Sequence, residues 1–147
     1  MKKAITLLGI AAMLGGAGSP SVGNPTGQWR TQMHGARVEV RPCANQTPCA
    51  FLVWIDPAEA PGVAMDMRNP DPALRRRPQI GVPIVWGLRP TATGWDKGRV
   101  YNPETGQTFR GAMQLLPDGK LKVTGCWGPL CRSEIWIRID NTARPGA

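Results

Sequence analysis

The chain has 147 residues, 41% hydrophobic and 19% charged, with a formal net charge of +8. That length suits one domain with a single core. Its 18 glycines and 15 prolines are spread as punctuation, so no low-complexity tract is expected. The basic balance favours anionic partners or serves solubility alone. The cations are scattered except for Arg75-Arg76-Arg77 and are not interleaved with stacking aromatics, so nucleic acid is not an expected partner.

Met1-Lys2-Lys3 forms a short positive start, Ala4–Leu14 an uncharged apolar run, and Gly15–Ser19 a stretch of small residues. This is the layout of a secretory signal peptide, expected over residues 1–23, with the domain proper over 24–147. The apolar run is shorter than the roughly 20 residues of a membrane span, and no second such run occurs later in the chain. The mature protein is therefore expected to have no transmembrane segment and to be periplasmic or secreted. Without Lys2 and Lys3 its charge is still about +6.

Strand signals dominate the mature chain. Short alternating or apolar runs predict strands over Gln28–Met33, Arg37–Arg41, Ala50–Asp56, Gly81–Leu88, Lys97–Tyr101, Gln107–Leu116, Lys120–Trp127 and Arg132–Asp140. Asn102–Gly106 and Pro117-Asp118-Gly119 read as hairpin turns, with glycine at positions that tolerate positive φ. Sequential hairpins of this kind predict an all-β fold, a single eight-stranded antiparallel up-and-down barrel. One connection, Pro57–Gln79, is too long for a hairpin. Within it Asp71-Pro72 reads as the N-cap and first position of a short helix. Long loops of this kind are often functional, or else act as a structural lid.

The four cysteines fall in two close pairs, Cys43/Cys49 and Cys126/Cys131. In an exported chain the simplest reading is two local disulfides. A four-cysteine zinc site fits less well, because ligand pairs usually have two to four residues between them and the first pair here has five. Cross-pairing between the two hairpins stays open.

No catalytic residues are expected: nucleophile elbow, phosphate loop and H-E-x-x-H are all lacking, and the one histidine, His34, sits beside Gly35 in a turn. Asp66, Asn69 and Asp71 carry oxygens suited to calcium but lack the glycine and terminal glutamate of an EF-hand loop. Neither metal nor cofactor is expected.

An ordered set of motifs runs through the chain. It comprises Gly27-Gln28-Trp29, Cys43…Cys49, Asp66-x-x-Asn69-Pro70-Asp71-Pro72-Ala73-Leu74-Arg75-x-Arg77-Pro78-x-Ile80-Gly81, Gly98-x-Val100-Tyr101-Asn102-Pro103-x-x-Gly106-x-Thr108-Phe109, Gly125-Cys126…Cys131-Arg132 and Trp136-Ile137-Arg138. Together these resemble the uncharacterised bacterial family called domain of unknown function 2147, over essentially the whole mature chain. The resemblance implies an exported, calycin-like (lipocalin-type) barrel with no established activity. Ala50 departs from the glycine that commonly follows the second cysteine in that family.

In lipocalin-type barrels a tryptophan entering the first strand closes one end, and an arginine of the last strand lies across it. The resemblance thus makes Gly27, Trp29 and Arg138 the expected barrel closure, with a cation–π contact of roughly 0.5–2 kcal/mol. Period two sets Ile135, Ile137 and Ile139 on one face of the last strand and Trp136 with Arg138 on the other, and either face suits the interior. Six tryptophans suit a packed interior or a lined pocket, and an eight-stranded barrel has room for either. The functional expectation is a non-enzymatic binding module for a small amphipathic or anionic ligand. The alternative is a solid barrel contacting an envelope protein or glycan through its loops. Asp66, Asn69, Arg75 and Arg77 make the long loop the candidate ligand-binding loop, since arginine forks engage carboxylate or phosphate. The competing expectation is that the arginines pair with Asp66 or Asp71 and pin the loop.

Overall fold

The computed structural model describes residues 22–59, 62 and 64–139. The expected leader, apart from Val22 and Gly23, lies outside the described residues, as does Asp140 of the last predicted strand. Nine strands appear in chain order: β1 Gly27–Arg30, β2 Arg37–Pro42, β3 Pro48–Trp54, β4 Pro83–Trp86, β5 Arg89–Pro90, β6 Trp95–Asn102, β7 Gln107–Leu115, β8 Leu121–Trp127 and β9 Leu130–Arg138. Their alternation is legible in burial. In β2, Val38 and Val40 are fully buried between Arg37, Glu39 and Arg41, and in β8 Leu121 and Val123 alternate with Lys122 and Thr124.

All pairings are antiparallel, in the order β4-β3-β2-β1-β9-β8-β7-β6. The ring shuts where β4 meets β6, with Val85 opposite Val100 and Trp86 opposite Arg99. The result is a closed eight-stranded barrel. β5 stands outside this ring and pairs with the start of β6, Arg89 opposite Asp96. The single predicted strand Gly81–Leu88 is thereby shortened to β4, because Gly87 (φ 69°) turns the chain out of the ladder before it rejoins β6. The predicted first strand is also shorter than expected. Thr31 to Ala36 form a loop instead, with His34 and Gly35 both at positive φ.

Connections alternate between two ends. At one lie the β2–β3 hairpin and the β7–β8 turn; at the other lie the β1–β2 loop, the long β3–β4 connection and the β6–β7 and β8–β9 hairpins. Both cysteine pairs are local disulfides. Cys43–Cys49 braces the first end across a short 3-10 turn, Ala44–Gln46, and Cys126–Cys131 braces the β8–β9 hairpin at the other. The expected helix at Asp71 is a single 3-10 turn, Pro72–Leu74, in which the Asp71 carboxylate accepts from the Ala73 N–H at 2.9 Å.

The two ends differ inside. Near the first, Trp29, Val40, Ala50, Leu88, Met113 and Leu121 belong to a tightly buried core cluster. Ala50, where the resemblance leads one to expect glycine, is fully buried opposite Val40 and Val85. Trp29 and Arg138 are register partners in the β1–β9 ladder, and the guanidinium carbon lies 4.2 Å from the indole centroid. Arg138 also donates to the carbonyls of Thr26 (2.8 Å) and Asn24 (3.0 Å), while the Trp29 indole donates to Pro25 O at 2.9 Å. Gly27 has φ +137°, and a Cβ there would stand 2.8 Å from the Arg138 guanidinium, so glycine suits both the backbone and the space. Trp136 is buried and Ile137 half exposed, so the tryptophan–arginine face of β9 is the inward one and the isoleucines face out.

These contacts predict that Arg138→Ala lowers the unfolding free energy by about 1–3 kcal/mol, because packing over the indole is lost with the charge. Arg138→Lys should recover only part, since an ammonium lacks the fork that reaches both carbonyls. Urea denaturation checks this; a change within error of zero for Arg138→Ala would contradict it.

Candidate functional site

Above the packed core the barrel is hollow. A cavity of about 660 Å³ opens at the end that carries the β8–β9 hairpin. Its inner wall is apolar, with Val38, Leu52, Ile84, Val100, Val123 and Trp136 contributed by six different strands. Most of these follow the inward period of their strands; Ile84 does not, since its neighbour Val85 is also buried, at the place where the β3–β4 register shifts.

A row of glycines helps to shape the interior. Gly98, Gly111 and Gly125 are register partners across β6, β7 and β8. A Cβ at Gly111 would stand 2.8 Å from Val100, while one at Gly125 would meet Phe109 at an ordinary 3.4 Å. Gly125 borders the cavity, and Phe109 and Val100 lie alongside it. Sequence reading overlooks this row because it exists only in the register of three strands.

The mouth is mixed in character. Met33, Trp127 and Leu130 border it and are 59%, 62% and 77% exposed. Trp127 is steadied by an edge contact with Phe109 at 6.0 Å. His34 of the β1–β2 loop meets Glu104 of the β6–β7 hairpin at 3.3 Å, and Glu134 accepts from the Met33 backbone N–H at 2.7 Å. Arg132 borders the cavity without an ion pair among the described residues. The lining thus carries one guanidinium against two carboxylates.

The candidate loop residues lie elsewhere. None of Asp66, Asn69, Arg75 and Arg77 borders the cavity; they satisfy one another and the loop backbone. Asp66, fully buried, accepts from Tyr101 OH (2.5 Å), Asn69 Nδ2 (2.9 Å) and both Nε and Nη2 of Arg77 (2.9 Å each). Arg75 donates through Nε to Asn69 O at 2.8 Å. Backbone bonds from Asp66 N to Arg77 O and from Gln79 N to Ala64 O hold the two arms of the loop together. A Cβ at Gly106 would collide with the Arg68 carbonyl, so the loop presses directly on the β6–β7 hairpin. From this loop Gln79 reaches the cavity lining. Tyr101, which also borders the cavity, directs its hydroxyl into the loop. Burial, and then the bond to the Asp66 carboxylate, push its phenol up to about 12.

Among the described residues no group of three or more His, Cys, Asp or Glu is placed to hold a metal ion, and no helix is long and apolar enough to cross a membrane. The two disulfides are compatible with a protein outside the cytoplasm.

A closed antiparallel barrel of eight strands, packed at one end and hollow at the other, is lipocalin-like. Residues 27–138 match the family described as "Uncharacterized protein conserved in bacteria (DUF2147)", and the chain belongs to that family. Among solved structures it is similar to protein HP1028 from Helicobacter pylori, described as belonging to the lipocalin family. The TM-score is 0.68 at 24% identity, covering 79% of this chain and 83% of the other. None of the curated proteins compared matches the chain.

Tyr101 is the one tyrosine of the chain, so its ionisation can be read alone. Near-ultraviolet phenolate absorbance should rise with a midpoint near pH 12 in the folded protein and near 10 in denaturant. A folded-state value above the unfolded one means that the contribution is fully present below pH 10 and is lost as pH rises through about 12. Tyr101→Phe should remove that part of the alkaline loss of stability. A folded midpoint near 10 would contradict the assignment.

Proposed function

We propose that this protein is a non-enzymatic, periplasmic or secreted binding module that holds a small amphipathic molecule inside its barrel. The observation that carries the reading is the apolar cavity, whose volume falls within the roughly 300–1,000 Å³ common for small-molecule sites. In this reading Trp29 and Arg138 seal the far end, so that a ligand enters and leaves at the β8–β9 side alone. The long loop acts as a strut, with Asp66 and Arg77 setting its shape and Gln79 reaching the ligand. The lipocalin-like architecture supports the reading by analogy of fold.

A second reading, contact with an envelope protein or glycan through the loops, draws on the exposed Trp127 and Leu130 at the hairpin tip. The two differ in what travels with the protein. Native mass spectrometry of protein purified from its own envelope should show a bound small molecule, recoverable by solvent extraction. Gly125→Leu, which extends a side chain into the cavity, should abolish its recovery while leaving the fold intact. A protein that is ligand-free in both forms and captures a macromolecule instead would overturn the binding reading.

A further inference from the structure

Apart from the barrel cavity, the wall carries a second, smaller cleft of about 180 Å³, and the two share no lining residue. It lies toward the packed end, where the turn between β5 and β6 folds over the outer face of β7 and β8. The turn sits close, since a Cβ at Gly94 would collide with the Met113 carbonyl. The floor is made of outward positions in register, Ala112 beside Thr124 and Gln114 beside Lys122, while Met113 and Val123 between them point into the core.

One side of the cleft is held in a strained shape. Between the register pairs Trp95–Met113 and Gly98–Gly111, Asp96 and Lys97 stand against Ala112 alone, which is a β-bulge. Lys97, with φ 55°, occupies the left-handed region that a side chain disfavours. A bulge re-aims the residues it carries, and here Asp96 borders the cleft. Arg89 is the register partner of Asp96, yet no ion pair joins them among the described residues. Lys122 borders the same cleft and is equally without an ion pair there. A carboxylate and an ammonium thus share one small cleft without neutralising each other.

That arrangement restricts the occupant. An anion drawn by Lys122 meets Asp96, and a cation drawn by Asp96 meets Lys122, so either is penalised in a half-buried site. A neutral, hydroxyl-rich ring meets no such penalty. Its hydroxyls donate to Asp96, accept from Lys122 and do both with the Gln114 amide. Its C–H face suits Ala112 and the half-buried Trp95, which also borders the cleft. The volume lies below the roughly 300–1,000 Å³ of drug-sized sites and fits a single ring.

We propose that this cleft is a second binding site, which takes a neutral sugar ring held by Asp96, Lys122 and Gln114. The site is independent of the cavity and of whatever the cavity holds. A free sugar and one unit of a glycan chain present the same chemistry, and the test separates them.

Backbone amide resonances of the isotope-labelled protein report on both sites at once. The probes are the methyl glycosides of glucose, galactose, mannose and N-acetylglucosamine. At least one should shift the amides of Gly94, Asp96 and Lys122 and leave those of Leu52 and Gly125, which line the cavity, unmoved. The amino and carboxylate forms of the same sugar should bind more weakly. Asp96→Asn and Lys122→Gln should each lower the affinity roughly ten-fold, the size of one hydrogen bond to a charged group, with the cavity resonances unmoved as proof of folding. A tetrasaccharide that binds more tightly than its monosaccharide identifies a glycan chain as the source, and equal affinity identifies a free sugar. No shift at the cleft with any of the four glycosides at tens of millimolar, tighter binding by a charged form, or unchanged affinity in both variants would overturn the inference and leave the cavity reading untouched.

Discussion

An eight-stranded barrel depends on its shortest ladders, and the one that joins β1 to β9 is short. β1 is four residues long and pairs with β9 through Trp29 and Arg30, with one further backbone bond from Ile139 N to Gln28 O at 2.9 Å. By contrast β8 and β9 are in register along the whole of β8, from Leu121 to Trp127. The short ladder lies against the packed end of the barrel. Arg138 covers Trp29 and fastens the incoming segment Asn24–Thr26, while Trp29 fastens Pro25. Strand pairing and chain entry thus converge on one arginine–tryptophan contact.

A packed end leaves the remaining volume to the other half. The inward positions of β6, β7 and β8 that continue the wall toward the mouth include a glycine row, and the β8–β9 hairpin above it is braced by Cys126–Cys131 and by the Trp127–Phe109 contact. Backbone and covalent bracing thus help to maintain the hollow. The long loop contributes in the same way. Its buried Asp66, surrounded by Tyr101, Asn69 and Arg77, ties it to β6 and keeps its arginines out of the cavity.

Much of this is legible in the amino-acid order. Cysteine spacing and a leader-like start point to the local disulfides, the turn residues at Asn102–Gly106 and Pro117–Gly119 to sequential hairpins, and the motif set to a lipocalin-type barrel. Asp71 is readable as a cap because that interaction spans two residues. The remainder requires three-dimensional register. Nothing local distinguishes the isoleucine face of β9 from the tryptophan–arginine face, since both suit an interior; Trp136 becomes the inward residue only once Arg138 is placed opposite Trp29. The loop arginines resemble an anion site because Asp66 and Arg77 are eleven residues apart, and their pairing depends on the fold of the loop. The glycine row is likewise a product of pairing between strands. Sequence therefore directs attention to the polar loop, whereas the cavity wall is built from ordinary alternating apolar residues.

The central physical claim is a barrel hollow at one end and packed at the other, and xenon tests it most directly without presupposing a ligand. Xenon enters apolar cavities and diffracts strongly. In crystals under xenon pressure, anomalous density is predicted between Val38, Leu52, Ile84 and Val123, with none among Trp29, Met113 and Leu121. An interior without xenon, filled by inward movement of Trp136 and Phe109, would contradict the account.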